Sequence, residues 1–175
     1  ARDNNQEIIY PSPDVSKSDF LSKVNDRLSQ VLQLVYQRQG EYLKSHDNIN
    51  KQFSPIVVTI DELSALTTGA NKRIVESFFS LLQTITLLAR ESNVHLILIS
   101  QTLDTKTIPS SVRSQCNLRI LMGLVNSKSC QYLFPDYDVS SIVVPSGVAT
   151  GIIQKINSND TPAITPFLAP SVKGW

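Results

Sequence analysis

Two adjacent carboxylates, Asp61 and Glu62, follow directly on the apolar run "IVVTI", and a second apolar run, "VHLILIS", ends on Ser100 and Gln101. In open parallel sheets, ligands gather at the carboxyl ends of the strands. Acids and an amide brought together at two such ends could do one coherent piece of chemistry. Asp61 would hold a magnesium ion through water, and Glu62 would take a proton from an attacking water. Gln101 would orient that water against a terminal phosphate. An apolar strand followed by Asp-Glu is the Walker B pattern of nucleotide hydrolases. The pair has a plainer reading as a solvated helix N-terminus, where acids are favoured by the macrodipole.

These residues need a scaffold, and the pattern supplies one. Phe20, Val24, Leu28, Val31, Leu32, Val35 and Tyr36 recur at spacings of three and four, predicting an amphipathic helix from Asp19. Ser18 or Asp19 caps it, and it ends near Gly40 or slightly beyond, through "EYLKS". "IVVTI" reads as a strand buried on both faces. A helix over 72–92 follows, with Val75, Phe78, Phe79, Leu82, Ile85, Leu88 and Ala89 inward. "VHLILIS" and "LRILMGL" are the next strands, with a short helix after Pro109 between them. "SKSCQYLF" reads as a short helix and "GVATGIIQKI" as a last strand, and a Pro-rich tail is mostly extended. A short strand is expected at "EIIY". Strands alternating with helices imply an α/β protein, with a parallel sheet covered on both faces. The expected organisation is a lead-in over 1–18, one α/β domain over 19–156 and a tail over 157–175.

The whole chain has 175 residues, 41% hydrophobic and 18% charged, with a formal net charge of +1. That is an ordinary globular composition, so any contact with nucleic acid must come from local placement of charge. Cys116 and Cys130 are too few and too isolated for a disulfide framework or a zinc site, and both read as reduced, partly buried and inert. No apolar run reaches the roughly 18 residues of a membrane span, and "ARDNNQEIIY" lacks the regions of a signal peptide. The chain opens on Ala1 rather than Met, which raises the expectation of a piece cut from something longer.

A phosphate-cradling loop ends in Gly-Lys-Ser/Thr. No lysine follows a glycine anywhere in this chain. Either the grip on the β- and γ-phosphates comes from another segment, or the chain does not hydrolyse a nucleotide.

"PIVVTIDELSAL", "LLARESNVHLILISQT", "LRILMGLVNSKSCQYLF" and "PSGVATGII" stand in the order and approximate spacing of the FtsK/SpoIIIE motor domain, which the sequence resembles over about residues 20–155. The resemblance implies a RecA-like P-loop NTPase fold lacking its P-loop portion. It also implies ATP and Mg2+ as cofactors, a hexameric ring and DNA as the substrate moved. Asp61 resembles the magnesium-side acid, Glu62 the catalytic glutamate and Gln101 the residue that senses the γ-phosphate. Arg90 and Arg119 stand where a neighbouring subunit's arginine would come from, with a salt bridge or a carbonyl cap as the plainer role of each. "SQTLD" departs from the family's "TQRP", so the arginine of that pattern is missing.

Two family loops that face the pore look like "TTGANKR" and "TLDTKTIPSSVR". Asn71, Lys72, Arg73, Lys106 and Arg113 would touch DNA phosphates without reading bases, or would simply be a solvated surface. Gly69 suits a tight turn, the pair Gly147 and Gly151 a conformational role, and His95 a packed, hydrogen-bonded place within its strand. The tail "ITPFLAPSVKGW" resembles FtsK-like coupling proteins of Gram-positive conjugative elements.

The implied setting is the cytoplasmic part of a bacterial protein anchored in the membrane by an N-terminal segment, with a relaxase or other transfer proteins as partners. Two alternatives stand beside it: an FtsK-like ATPase of type VII protein secretion, and a non-catalytic FtsK-like interaction domain. On any of these readings, the 175 residues alone are expected not to hydrolyse ATP.

Overall fold

The structure, a computed structural model, describes residues 6–44, 53–123, 126–138, 149–156 and 163–170. The chain forms two compact units, residues 1–100 and 101–175.

The first unit runs α1 (Lys17–Lys44), β1 (Ile56–Ile60), α2 (Leu63–Thr67), α3 (Lys72–Leu88) and β2 (Val94–Leu98). Helix α1 starts two residues earlier than its pattern predicts. Ser16 is the reason: its Oγ accepts the Asp19 N–H at 3.1 Å and donates to the Asp19 carboxylate at 2.6 Å, satisfying a donor the helix cannot. The helix buries Phe20, Leu21, Leu28 and Val35, while Tyr36 stays exposed. Helix α3 buries Phe78, Leu82 and Ile85, spaced by four and three. Each such side chain contributes about 1.5–3 kcal/mol by leaving water.

Helix α1 is also fastened to α3 and to the segments that flank β1 and β2 by polar bonds. The Asn25 amide donates to the Ile74 carbonyl, Gln39 to Leu88, and Arg38 to both Ser54 and Ser92. Arg38 stacks on the Phe53 ring as well. Residues 7–10 form no strand; Ile8 and Tyr10 lie exposed in extended chain.

Strands β1 and β2 pair in parallel, Ile56 beside Val94 through Ile60 beside Leu98. The expected burial on both faces is not found. Ile60 and Val94 are buried, whereas Val57, Ile97 and Ile99 are 58%, 47% and 46% exposed. Apolar residues on both faces fit a strand for two covering layers, and within this unit only one face is covered. His95 falls on the open face, exposed rather than packed. Its Nε2 is 2.9 Å from the Asn93 amide oxygen.

The second unit contains α4 (Ser110–Arg113), β3 (Leu118–Met122), α5 (Ser127–Leu133), β4 (Thr150–Lys155) and β5 (Ala163–Leu168). Its strands are antiparallel in the order β3-β4-β5, rather than a continuation of a parallel sheet. The link from β4 to β5 is too short for a crossover, which needs a dozen residues or more. Pro166 is tolerated because β5 lies at the sheet edge. The core gathers Cys130, Leu133, Phe134 and Ile152, with Leu103, Leu121, Tyr137 and Ile164 against them. Both cysteines are free; Cys130 is buried and Cys116 half-buried, and burial raises both thiols above their ordinary range.

Gly151 sits between β3 and β5, and a Cβ there would meet the Leu121 carbonyl oxygen at 2.5 Å and the Phe167 ring at 2.8 Å. Close approach, not a special φ, requires this glycine. Gly147 lies outside the described residues.

Candidate functional site

The carboxyl ends of β1 and β2 are locked together by backbone bonds. The Ile99 N–H donates to the Ile60 carbonyl at 2.9 Å, and the Leu63 N–H donates to the Ile99 carbonyl at 3.1 Å. Asp61 and Glu62 are the two residues held between those bonds. Asp61 is exposed and Glu62 half-buried, so neither carboxylate is walled in by apolar packing. Parallel pairing brings Ser100, just past β2, to the same end of the sheet.

Glu62 has φ 52° and ψ 67°, the left-handed region, and serves as the residue before α2. An L-residue without a helpful short polar side chain pays about 1–2 kcal/mol there. Such strain concentrates at functional sites, where surrounding structure over-determines it. The over-determination is visible: Ile60 and Leu63 are tied to Ile99, and the Glu62 carbonyl accepts the Ala65 N–H at 3.0 Å. The Ser64 hydroxyl donates to the Glu62 carboxylate. Neither the strained backbone nor the serine partner was foreseen from sequence. The only available cue was the serine two residues after Glu62 in "DELS".

Among the described residues, no group of three or more His, Cys, Asp or Glu could hold a metal ion. A lone exposed Asp61 suits a magnesium ion that keeps most of its waters and shares the rest with phosphates. It does not suit a cage built from protein.

The other predicted residues are distributed between the units. Arg90 is exposed in the turn between α3 and β2. The "TTGANKR" loop is pinned to the start of α1: Lys17 Nζ donates to the Thr68 carbonyl at 3.0 Å, and the Asn71 N–H donates to Ser18 Oγ at 2.9 Å. Gly69 takes φ 81°, the turn its composition predicts. Asn71 caps α3 by accepting the Arg73 N–H at 2.9 Å. Lys72 and Arg73 are exposed, and Lys72 lies 3.8 Å from Glu76.

In the second unit, Gln101 and Lys106 are exposed. Arg113 donates to the Tyr132 carbonyl and lies over the Tyr132 ring. Arg119 is 7% exposed. Its guanidinium donates to the carbonyls of Cys116, Leu133 and Arg113 and to the Gln154 side-chain oxygen, at 3.2–3.4 Å. Burial, then the nearby Arg113 charge, push it below the usual arginine range. The carbonyl-capping alternative is the geometry Arg119 displays, and Arg113 is likewise turned into its own unit.

With this geometry in hand, the fold finds its parallels among solved structures. The pCW3 conjugation coupling protein TcpA, in its monomer form with ATPγS, aligns at 19% identity and a TM-score of 0.56 over 85% of this chain. The cytoplasmic domain of the Thermomonospora curvata type VII secretion ATPase EccC aligns at 20% identity and a TM-score of 0.59 over 87%. At 19–20% identity the likeness is one of fold: this α/β chain folds as part of each of these two proteins does. The chain spans 42% of the first structure's length and 18% of the second's. No family model matches the sequence, and a comparison with curated proteins finds no match. No helix among the described residues is long and apolar enough to cross a membrane.

Proposed function

We propose that this chain is the Walker B portion of an FtsK-like ATPase that moves DNA, in conjugative transfer or chromosome segregation. The reading rests above all on Glu62, a carboxylate on strained backbone beside Asp61 at a parallel strand end. Asp61 would hold Mg2+ through water, and the bound metal would neutralise charge on the phosphates of ATP. Glu62 would accept the proton of the attacking water. Arg90, exposed, is the better candidate for an arginine offered to a neighbouring subunit, given that Arg119 is engaged within its own unit.

The grip on the phosphates must come from outside these 175 residues, which contain no Gly-Lys-Ser/Thr. In the full-length protein we place ATP between subunits of a hexameric ring, cytoplasmic and anchored by a membrane segment, with relaxase-type partners. Asn71, Lys72, Arg73 and Lys106 would meet the DNA backbone.

The similarity to EccC supports a second reading, a motor that moves protein. The two separate on salt: DNA binding by the assembled ring should weaken steeply as salt rises, whereas absent or salt-insensitive binding favours a protein substrate. A non-catalytic interaction domain predicts that the full-length protein has no ATP turnover at all. Turnover by the 175-residue chain alone would overturn the assignment of the site.

A further inference from the structure

We propose that Ser64 is the positioning residue for the Glu62 carboxylate, holding it in the orientation from which it takes a proton from water. The inference rests on the reading of Glu62 as that base. It goes beyond it by assigning a role to a side chain that the strand-end motif does not contain.

Two independent constraints converge on one side chain. The first is the backbone: Glu62 is left-handed at φ 52°, between a strand residue and a helix residue that are both bonded to Ile99. This fixes where the Cα–Cβ bond points and leaves the side-chain torsions open. The second closes them. The Ser64 hydroxyl donates to one oxygen of the Glu62 carboxylate, leaving the other oxygen to accept a proton. Glutamate is long, and ordering such a side chain costs much of its rotamer freedom. A hydrogen bond to a charged group offsets that cost. Without Ser64 the carboxylate would sample several rotamers around a fixed Cβ, and only some would meet the water.

Ser64 is well placed for this duty because its own backbone is fixed. It sits in the first turn of α2, and its carbonyl accepts the Thr68 N–H at 3.0 Å. Ser64 is half-buried and its backbone bonds do not depend on its hydroxyl, so removing that hydroxyl should leave the fold intact.

The test uses the full-length, ring-forming protein with steady-state ATP turnover as the readout. Ser64→Ala should lower kcat about tenfold with KM for ATP little changed, because a base works in the reaction step and not in nucleotide binding. Ser64→Thr, which keeps the hydroxyl, should restore at least half of the lost rate. Unchanged or raised kcat in Ser64→Ala would overturn the inference, as would a failure of Ser64→Thr to rescue. Glu62→Gln separates this from the parent reading. If Glu62→Gln abolishes turnover while Ser64→Ala is silent, only the positioning role fails. If Glu62→Gln itself turns over normally, the base assignment fails with it.

Discussion

The two units treat their charged residues in opposite ways. In the first, Asp61 and Glu62 stand at strand ends with their carboxylates exposed or half-exposed, and the fold spends backbone strain on one of them. In the second, Arg113 and Arg119 turn inward and satisfy carbonyls of their own unit. Both sets are polar residues near strands, and composition does not tell them apart. What separates them is where the donors and acceptors find partners. A buried arginine must be matched by acceptors on nearly all sides, while an acid at an open sheet end can leave its oxygens to solvent.

From that contrast, the largest stability change comes from the buried arginine. Arg119→Ala strips the donor from four acceptors, two of its bonds being fully buried, and should lower the unfolding free energy by about 3 kcal/mol. Arg119→Lys should recover little, since an ammonium cannot span that set. Urea unfolding reads both. A loss below about 1 kcal/mol would mean that these long bonds do not hold the unit together.

Gly151→Ala comes next. Its Cβ would press on a backbone carbonyl and an aromatic ring at once, costing about 2 kcal/mol by the same measurement. Neutral behaviour would show that β3 and β5 can part without penalty.

On the other side of the contrast, Glu62→Gly should raise the unfolding free energy by about 1 kcal/mol by relieving the left-handed backbone, while removing ATP turnover in the full-length protein. Stability and activity should therefore move in opposite directions at Glu62 and not at Arg119.

The smallest effect is a pH dependence. The Asp104 carboxylate accepts the Thr107 N–H at 2.8 Å and the Lys106 N–H at 3.0 Å. The bonds from Thr107, foremost, hold it below its ordinary value of 3.8. A folded-state pKa below the unfolded one stabilises at pH above the unfolded value, and that contribution disappears as pH falls through the folded one. Unfolding midpoints recorded from pH 6 to 2 should therefore decline less in Asp104→Asn than in the parent, below about pH 4. Parallel curves would remove Asp104 from the account.

The elements that the sequence announced correctly are those with strong local pattern. Phe78, Leu82 and Ile85 fall on one face of a helix by spacing alone, and "IVVTI" and "VHLIL" could be little else than strands. The acid pair was legible because it follows a strand directly. Burial was less legible. Val57 and Ile97 read as core because they are apolar, yet a residue's hydropathy states only that it can be buried, not that a layer is present to bury it. Arg119 read as a candidate for reaching outward because its sequence neighbours do not reveal that Leu133 and Gln154, far along the chain, would surround it.

By itself, then, the order of residues determined helices α1, α3, α4 and α5, strands β1 to β4 and the presence of an acid pair, because those depend on neighbours within a turn or two; α2 and β5 were not read from it. Tertiary structure alone decided that Glu62 sits on left-handed backbone with Ser64 at its carboxylate, that only one face of β1–β2 is covered within its own unit, and that the later strands run antiparallel. Each of these depends on pairing or covering between segments distant in the chain, and such partners leave no periodic trace in the sequence.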